Sequence, residues 1–244
     1  MRYILLIITS TFFSDLFAQE IKQRAFSVNY DYQIPYGDLS EIYGVSSSIG
    51  ISYFLESKKN ILFGADVEYI FGSNVKDSLI LESISTDEGY IIDANGYFAN
   101  INLMQSGFSS YIYTGYAIHK NKNNLSGLYL SLGLGYLQNK IFIDTKNQDI
   151  PYLSDEYKRG YDQFTNGISS RICAEYKYYS KRNKNLQFSL GINYTTAYTS
   201  MRRPYLFNEE LYNSRENKLD KILGIRIGVI IPIKKKNEEK FYYY

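Results

Sequence analysis

The chain has no tryptophan, one cysteine and one histidine among its 244 residues. A lone Cys173 excludes an intrachain disulfide. There is no Cys/His cluster for zinc, no phosphate-binding glycine loop and no nucleophile elbow. No cofactor is therefore expected. Net charge is only +2, which gives no reason to expect nucleic acid as a partner. After residue 18, no apolar run approaches the ~20 residues that a transmembrane helix needs.

What is present begins with MRYILLIITSTFFSDLFAQE. Arg2 precedes a mostly apolar stretch, and Ala18 stands before a plausible cut at Gln19. This order is that of a secretory signal peptide, residues 1–18, although Asp15 interrupts it. No cysteine follows the cut, so a lipid-anchored lipoprotein is not expected. A secreted chain without a helical anchor is either soluble or a barrel in an outer membrane.

Alternation decides between the two. In SGLYLSLGLGYLQN, Leu128, Leu130, Leu132, Leu134 and Tyr136 alternate with Tyr129, Ser131, Gly133 and Gly135. The same period of two recurs over 26–34, 45–55, 61–71, 108–118, 168–178, 186–198 and 219–233. In 108–118 it is noisier, with Tyr111 and Tyr113 opposite Phe108, Ile112 and Tyr116. Eight such strands of about 10 residues, with no comparable amphipathic helix, predict an all-β fold. The form expected is an eight-stranded antiparallel transmembrane up-and-down barrel. Its domain organisation would be signal peptide 1–18, barrel 19–233 and periplasmic tail 234–244.

Loop lengths agree. Short connections at 56–60, 119–126 and 180–185 alternate with mostly long ones at 35–44, 72–107, 144–162 and 200–218. Short turns belong at the periplasmic end and long loops outside. Charge sorts along the same axis. The outer loops carry eight cations against fifteen anions, and the periplasmic ends thirteen cations against four anions. A soluble β-sandwich or lipocalin-like barrel would turn a Lys-, Glu- and Thr-rich face to water. Here the polar face is rich in Gly, Ser and Asn, which suits a narrow, filled interior. Tyr (27) and Phe (14) must supply the aromatic belts that tryptophan does not.

The ending KLDKILGIRIGVIIPIKKKNEEKFYYY, with SGLYLSLGLGYLQNKI and YKRGYDQFTNGIS, resembles small outer-membrane β-barrel proteins of Bacteroidetes. The resemblance implies a class and no particular activity. The chain departs from typical barrels, which close their last strand with a terminal aromatic. Here Ile233 ends the strand, and a tail finishing Phe241-Tyr242-Tyr243-Tyr244 follows. That cluster reads as an assembly signal, a partner-binding tail or an interfacial anchor.

The polar parity places Asp31, Asp66, Glu68, Arg171, Glu175, Lys177 and Arg226 in the lumen. A proton or ion path is one reading. An ion-pair plug is preferred, because eight strands leave room only for side chains or one small ligand. Lys221 falls on the greasy parity near the outer rim. His119, beside Lys120 and Asn121, reads as a solvated residue of a periplasmic turn, the wrong rim for outer-surface chemistry. The acids Asp87, Glu88, Asp149, Asp155 and Glu156 lack calcium-loop spacing and read as solvated loop, with a divalent-ion site as the alternative.

The function expected is non-catalytic: a structural or binding protein of the outer membrane presenting acidic loops. The alternative is an accessory subunit of an assembly, secretion or transport complex. A lipid-modifying enzyme of the outer leaflet is a distant third. Its partners would be outer-membrane lipid, lipopolysaccharide and, for a subunit, a protein of the envelope.

Overall fold

The computed structural model describes residues 21–121, 124–180, 187–203, 206–207 and 217–233. The expected signal peptide at 1–18 and the tail at 234–244, with its aromatic cluster, lie outside the described residues.

Eight strands form where the alternation places them: β1 (Ile21–Gly37), β2 (Ser46–Ser57), β3 (Ile61–Gly72), β4 (Asn102–Asn121), β5 (Asn124–Asp144), β6 (Thr165–Tyr178), β7 (Gln187–Met201) and β8 (Asn217–Pro232). Each pairs antiparallel with the next, and β8 pairs back onto β1, closing the barrel. Closure gives every strand two partners, the condition for a sheet in lipid. Following the register from Val28 through Ile51, Val67, Ser110, Tyr136, Ile168 and Tyr198 leads to Leu219. Leu219 stands ten residues from Val229, the residue that pairs with Val28. That stagger is the shear that tilts the strands of a closed barrel.

β4 and β5 are 20 and 21 residues long, about twice the length needed to cross. β4 starts at Asn102, well before the expected Phe108, so the second outer loop is shorter than the sequence suggests. At the other end Asn121 pairs with Asn124, which makes His119 a strand residue.

The alternating faces take opposite environments. Ile112, Leu134, Ile168, Ile172, Leu190 and Ile192 point outward and are exposed, Ile112 at 77 %. Such a continuous apolar ring is unsupportable in water and is the lipid face of a membrane barrel. The noise in β4 has a simple cause. Tyr111 turns inward and is buried, while Ile112 and Tyr116 remain outside.

The interior is layered. Ala25, Phe54, Leu62, Ala117, Tyr129 and Ile230 form an apolar cluster toward the end that carries the short turns. A second apolar cluster lies toward the end that carries the long loops and joins Ile70, Leu137, Ile141 and Ile222 of the barrel to Leu39, Ile80, Leu153 and Tyr161 of those loops. The outer loops are thus not simply solvated. The helix α1 (Leu39–Ile42) and three 3-10 turns (Ser78–Ile84, Pro151–Leu153, Tyr157–Gly160) fold them into a cap. Burying a side chain such as Ile80 contributes about 1.5–3 kcal/mol. Cross-loop contacts fix the cap: Lys76 Nζ donates to the Ser40 carbonyl at 2.8 Å, and Gln163 Nε2 donates to Asp77 Oδ2 at 2.8 Å. Gly37, at φ +63°, starts this turn; a Cβ there would lie 2.6 Å from the Leu219 carbonyl oxygen.

Tyr43 is buried under the cap, and its hydroxyl has no hydrogen-bond partner among the described residues. Burial pushes that hydroxyl above the usual phenol range. A buried unpaired hydroxyl carries a desolvation cost that phenylalanine lacks. Tyr43→Phe is therefore expected to be neutral or to stabilise by up to about 1 kcal/mol. A urea midpoint in micelles reads the outcome, and a clear loss would show that the hydroxyl has a partner.

Candidate functional site: a charged network sealed in the lumen

Between the two apolar layers lies the charged middle of the barrel. Arg226 of β8 stands directly opposite Asp31 of β1. On its other side the register runs from Arg226 to Gly191 and on to Glu175. Gly191 leaves the space that lets Glu175 approach, since a Cβ there would meet Glu175 Cγ at 2.6 Å.

The contacts are numerous. Arg226 Nε donates to Asp31 Oδ1 at 2.9 Å and Nη1 to Asp66 Oδ2 at 3.3 Å, while Nη2 reaches Glu68. Arg171 binds Glu68 with both arms of its fork, at 2.5 and 2.8 Å, and its Nε donates to Thr195 at 3.1 Å. Such bidentate pairs are the stronger kind of ion pair. The Arg171 guanidinium also lies 3.9 Å from the centroid of the Tyr111 ring. Glu175 lies 3.8 Å from Arg226 and 3.7 Å from Lys177. Lys177 in turn sits over the rings of Phe54, at 3.7 Å, and Tyr129, at 4.6 Å.

All seven residues placed in the lumen by parity therefore meet in one network. Four are carboxylates and three are cations, so one carboxylate is in excess. Asp31 Oδ2 and Asp66 Oδ1 are buried without partners among the described residues. The network leaves a cavity of about 20 Å³, room for about one water. This arrangement packs the middle of the barrel with paired side chains.

Sequence reading missed the neutral members. Asn193 donates to Asp31 Oδ1 at 2.5 Å, and Ser109 donates to Glu68 Oε2 at 3.2 Å. Both lie on the same parity as the charges, and that parity was the signal available.

His119 requires a correction. It is not a solvated turn residue: its side chain is only 5 % exposed. Nε2 lies 2.7 Å from Glu56 Oε1, and Nδ1 lies 3.2 Å from the Leu125 carbonyl. Glu56, fully buried, also takes Lys22 Nζ at 3.0 Å and the Tyr129 hydroxyl at 3.0 Å. A second polar clamp thus closes the short-turn end of the barrel, and Tyr129 links it to Lys177. The error came from ending β2 and β4 too early. Continuing β2 by one residue puts Glu56 on the lumen face with Ser52 and Phe54.

No family model and no curated protein matches the chain. Among solved structures it is similar to that of Ail, the attachment invasion locus protein of Yersinia pestis, in complex with the heparin analogue sucrose octasulfate. That match has 9 % identity over 87 % of this chain and 99 % of that one, with TM-score 0.43. Neisserial surface protein A gives 14 % identity over 86 % and 99 %, with TM-score 0.41. The outer membrane protein OprG from Pseudomonas aeruginosa gives 10 % identity over 89 % and 99 %, with TM-score 0.39. Closed strands wrapped in an outward apolar ring make this chain a β-barrel of the outer membrane.

Proposed function

We propose that the protein is a non-catalytic outer-membrane barrel whose filled interior holds an acidic extracellular cap where surface ligands or partners meet it. The observation that carries this reading is the cap itself, whose apolar core runs into the upper barrel interior. Its segment 77–100 carries Asp77, Glu82, Asp87, Glu88 and Asp93 and no cation. The resemblance to small Bacteroidetes barrels, carried by the ending together with SGLYLSLGLGYLQNKI and YKRGYDQFTNGIS, belongs to the same reading.

One observation favours the subunit alternative. Tyr90, Ile92, Tyr97 and Phe98 cluster on a hairpin of this segment and are exposed. Exposed apolar groups of this kind are common at protein contacts. Purification in mild detergent separates the readings: a stoichiometric partner would replace the presenting role with that of a subunit.

Two measurements test the presenting role. In planar bilayers the purified chain is expected to give no long-lived conductance steps, because its lumen is filled. On intact cells, a membrane-impermeant amine reagent is expected to label Lys146 of the cap and spare Lys120 at the periplasmic end, both of which are exposed. Stable channels would move a transport role ahead of presentation, and the reverse labelling would invert the orientation.

A further inference from the structure

The second outer loop carries a short two-stranded ribbon. Ile92 pairs with Phe98, while Ala99 N donates to the Ile91 carbonyl at 2.7 Å and Asp93 N to the Tyr97 carbonyl at 2.8 Å. Side chains alternate between its two faces. Ile91 and Ala99 turn inward and pack against the cap's apolar core. Tyr90, Ile92 and Phe98 take the opposite parity and are exposed, Phe98 at 68 %. The Tyr90 and Phe98 ring centroids lie 4.7 Å apart, so the two rings form one surface. The ribbon is thus apolar on both faces, and the cap covers only one.

Lipid does not reach the other. Asn102, where β4 begins, stands ten residues beyond Ile112 of the apolar ring. At about 3.3 Å per residue and a tilt near ~40°, that is about 25 Å along the membrane normal. Half of an outer-membrane apolar band is only about 12 Å. Ala94 N donates to the Asp149 carbonyl at 2.9 Å, past the end of β5, which ties the ribbon still farther out.

Charge around the patch is of one sign. The turn 86–90, closed by Thr86 N donating to the Tyr90 carbonyl at 2.8 Å, holds Asp87 and Glu88 beside the Tyr90 end. Both acids are exposed. Residues 77–100 contain no cation, and in the adjoining turn Lys146 is offset by Asp149. An anionic occupant is repelled here. A guanidinium suits both halves of the patch, since it stacks on aromatic faces and pairs with carboxylates. The ribbon is already fixed to the cap, so an occupant need not order it.

We propose that the outer face of this ribbon docks a basic segment of a partner protein. An arginine of that segment stacks on Tyr90 and Phe98 and faces Asp87 and Glu88, while apolar neighbours cover Ile92. The proposal rests on the cap as the place where partners meet the protein.

The probe is a fluorescein-labelled peptide of Arg-Gly-Leu repeats. It is titrated by anisotropy into the full chain in phosphatidylcholine nanodiscs, with empty nanodiscs as the blank. Wild type is expected to bind it saturably and not to bind a peptide of Glu-Gly-Leu repeats. Tyr90→Ser with Phe98→Ser is expected to weaken binding about ten-fold. Asp87→Asn with Glu88→Gln is expected to weaken it about five-fold at low salt. Asp155→Asn with Glu156→Gln, in the next outer loop, leaves it unchanged. Heat-dependent gel migration reports the closed barrel in each variant. No binding by wild type, or wild-type binding by the folded ring variant, overturns the docking site. An equal loss in the Asp155 and Glu156 variant overturns it in favour of diffuse charge attraction. A dimer that the ring variant abolishes gives the face to a second copy and overturns the basic partner. Nanodiscs expose both rims, so the result is independent of orientation in the cell. Labelled Lys146 without peptide binding would therefore overturn this site and leave the presenting role standing.

Discussion

Replacing Arg226 with methionine is expected to cost about 3–5 kcal/mol of barrel stability. Arg226 contacts Asp31, Asp66 and Glu68 at once and lies near Glu175. Its removal leaves buried carboxylates with too few cations, and uncompensated charge is the expensive outcome in a low-dielectric interior. The triple variant Arg226→Met with Asp31→Asn and Asp66→Asn is expected to recover most of the loss. It leaves Glu68 with Arg171 and Glu175 with Lys177, two anions against two cations. Urea titration in micelles, read by the migration of unboiled samples, measures both. A triple variant as damaged as the single one would show that arginine packing, not charge balance, holds the middle of the barrel.

Replacing Leu132 with arginine is expected to impair insertion by about 2–4 kcal/mol, because the residue lies in the apolar ring near mid-membrane. Leu132 is 53 % exposed on the outward face and pairs with Thr114 and Ile172. Its neighbour Gly133 faces inward, where a Cβ would lie 3.2 Å from Tyr113 Cβ. Gly133→Arg is therefore expected to fail by overfilling the lumen, one residue away and for the opposite reason. Folding into vesicles separates the two, since thinner bilayers should relieve Leu132→Arg and leave Gly133→Arg unchanged. A silent Leu132→Arg would overturn the lipid assignment of that face.

Alternation alone determined the strands. A period of two has only one interpretation when it repeats eight times, and the residues of β5 announce both faces without any tertiary information. The same parity assigned all seven charged lumen residues, because a charge away from the rims of a spanning strand has only one tolerable side. Which charges touch was beyond it. Arg226 and Asp66 are 160 residues apart in the chain, and their meeting depends on the ten-residue stagger of the closed sheet. Strand ends were also set by the fold. His119 looked like a turn residue because lysine and asparagine follow it. It is a buried strand residue because Glu56, from a different hairpin, supplies a partner that makes its burial tolerable. The cap belongs to the tertiary structure for the same reason. Ile80, Leu153 and Tyr161 show no periodicity, and only the barrel's open mouth gives them a common surface to cover.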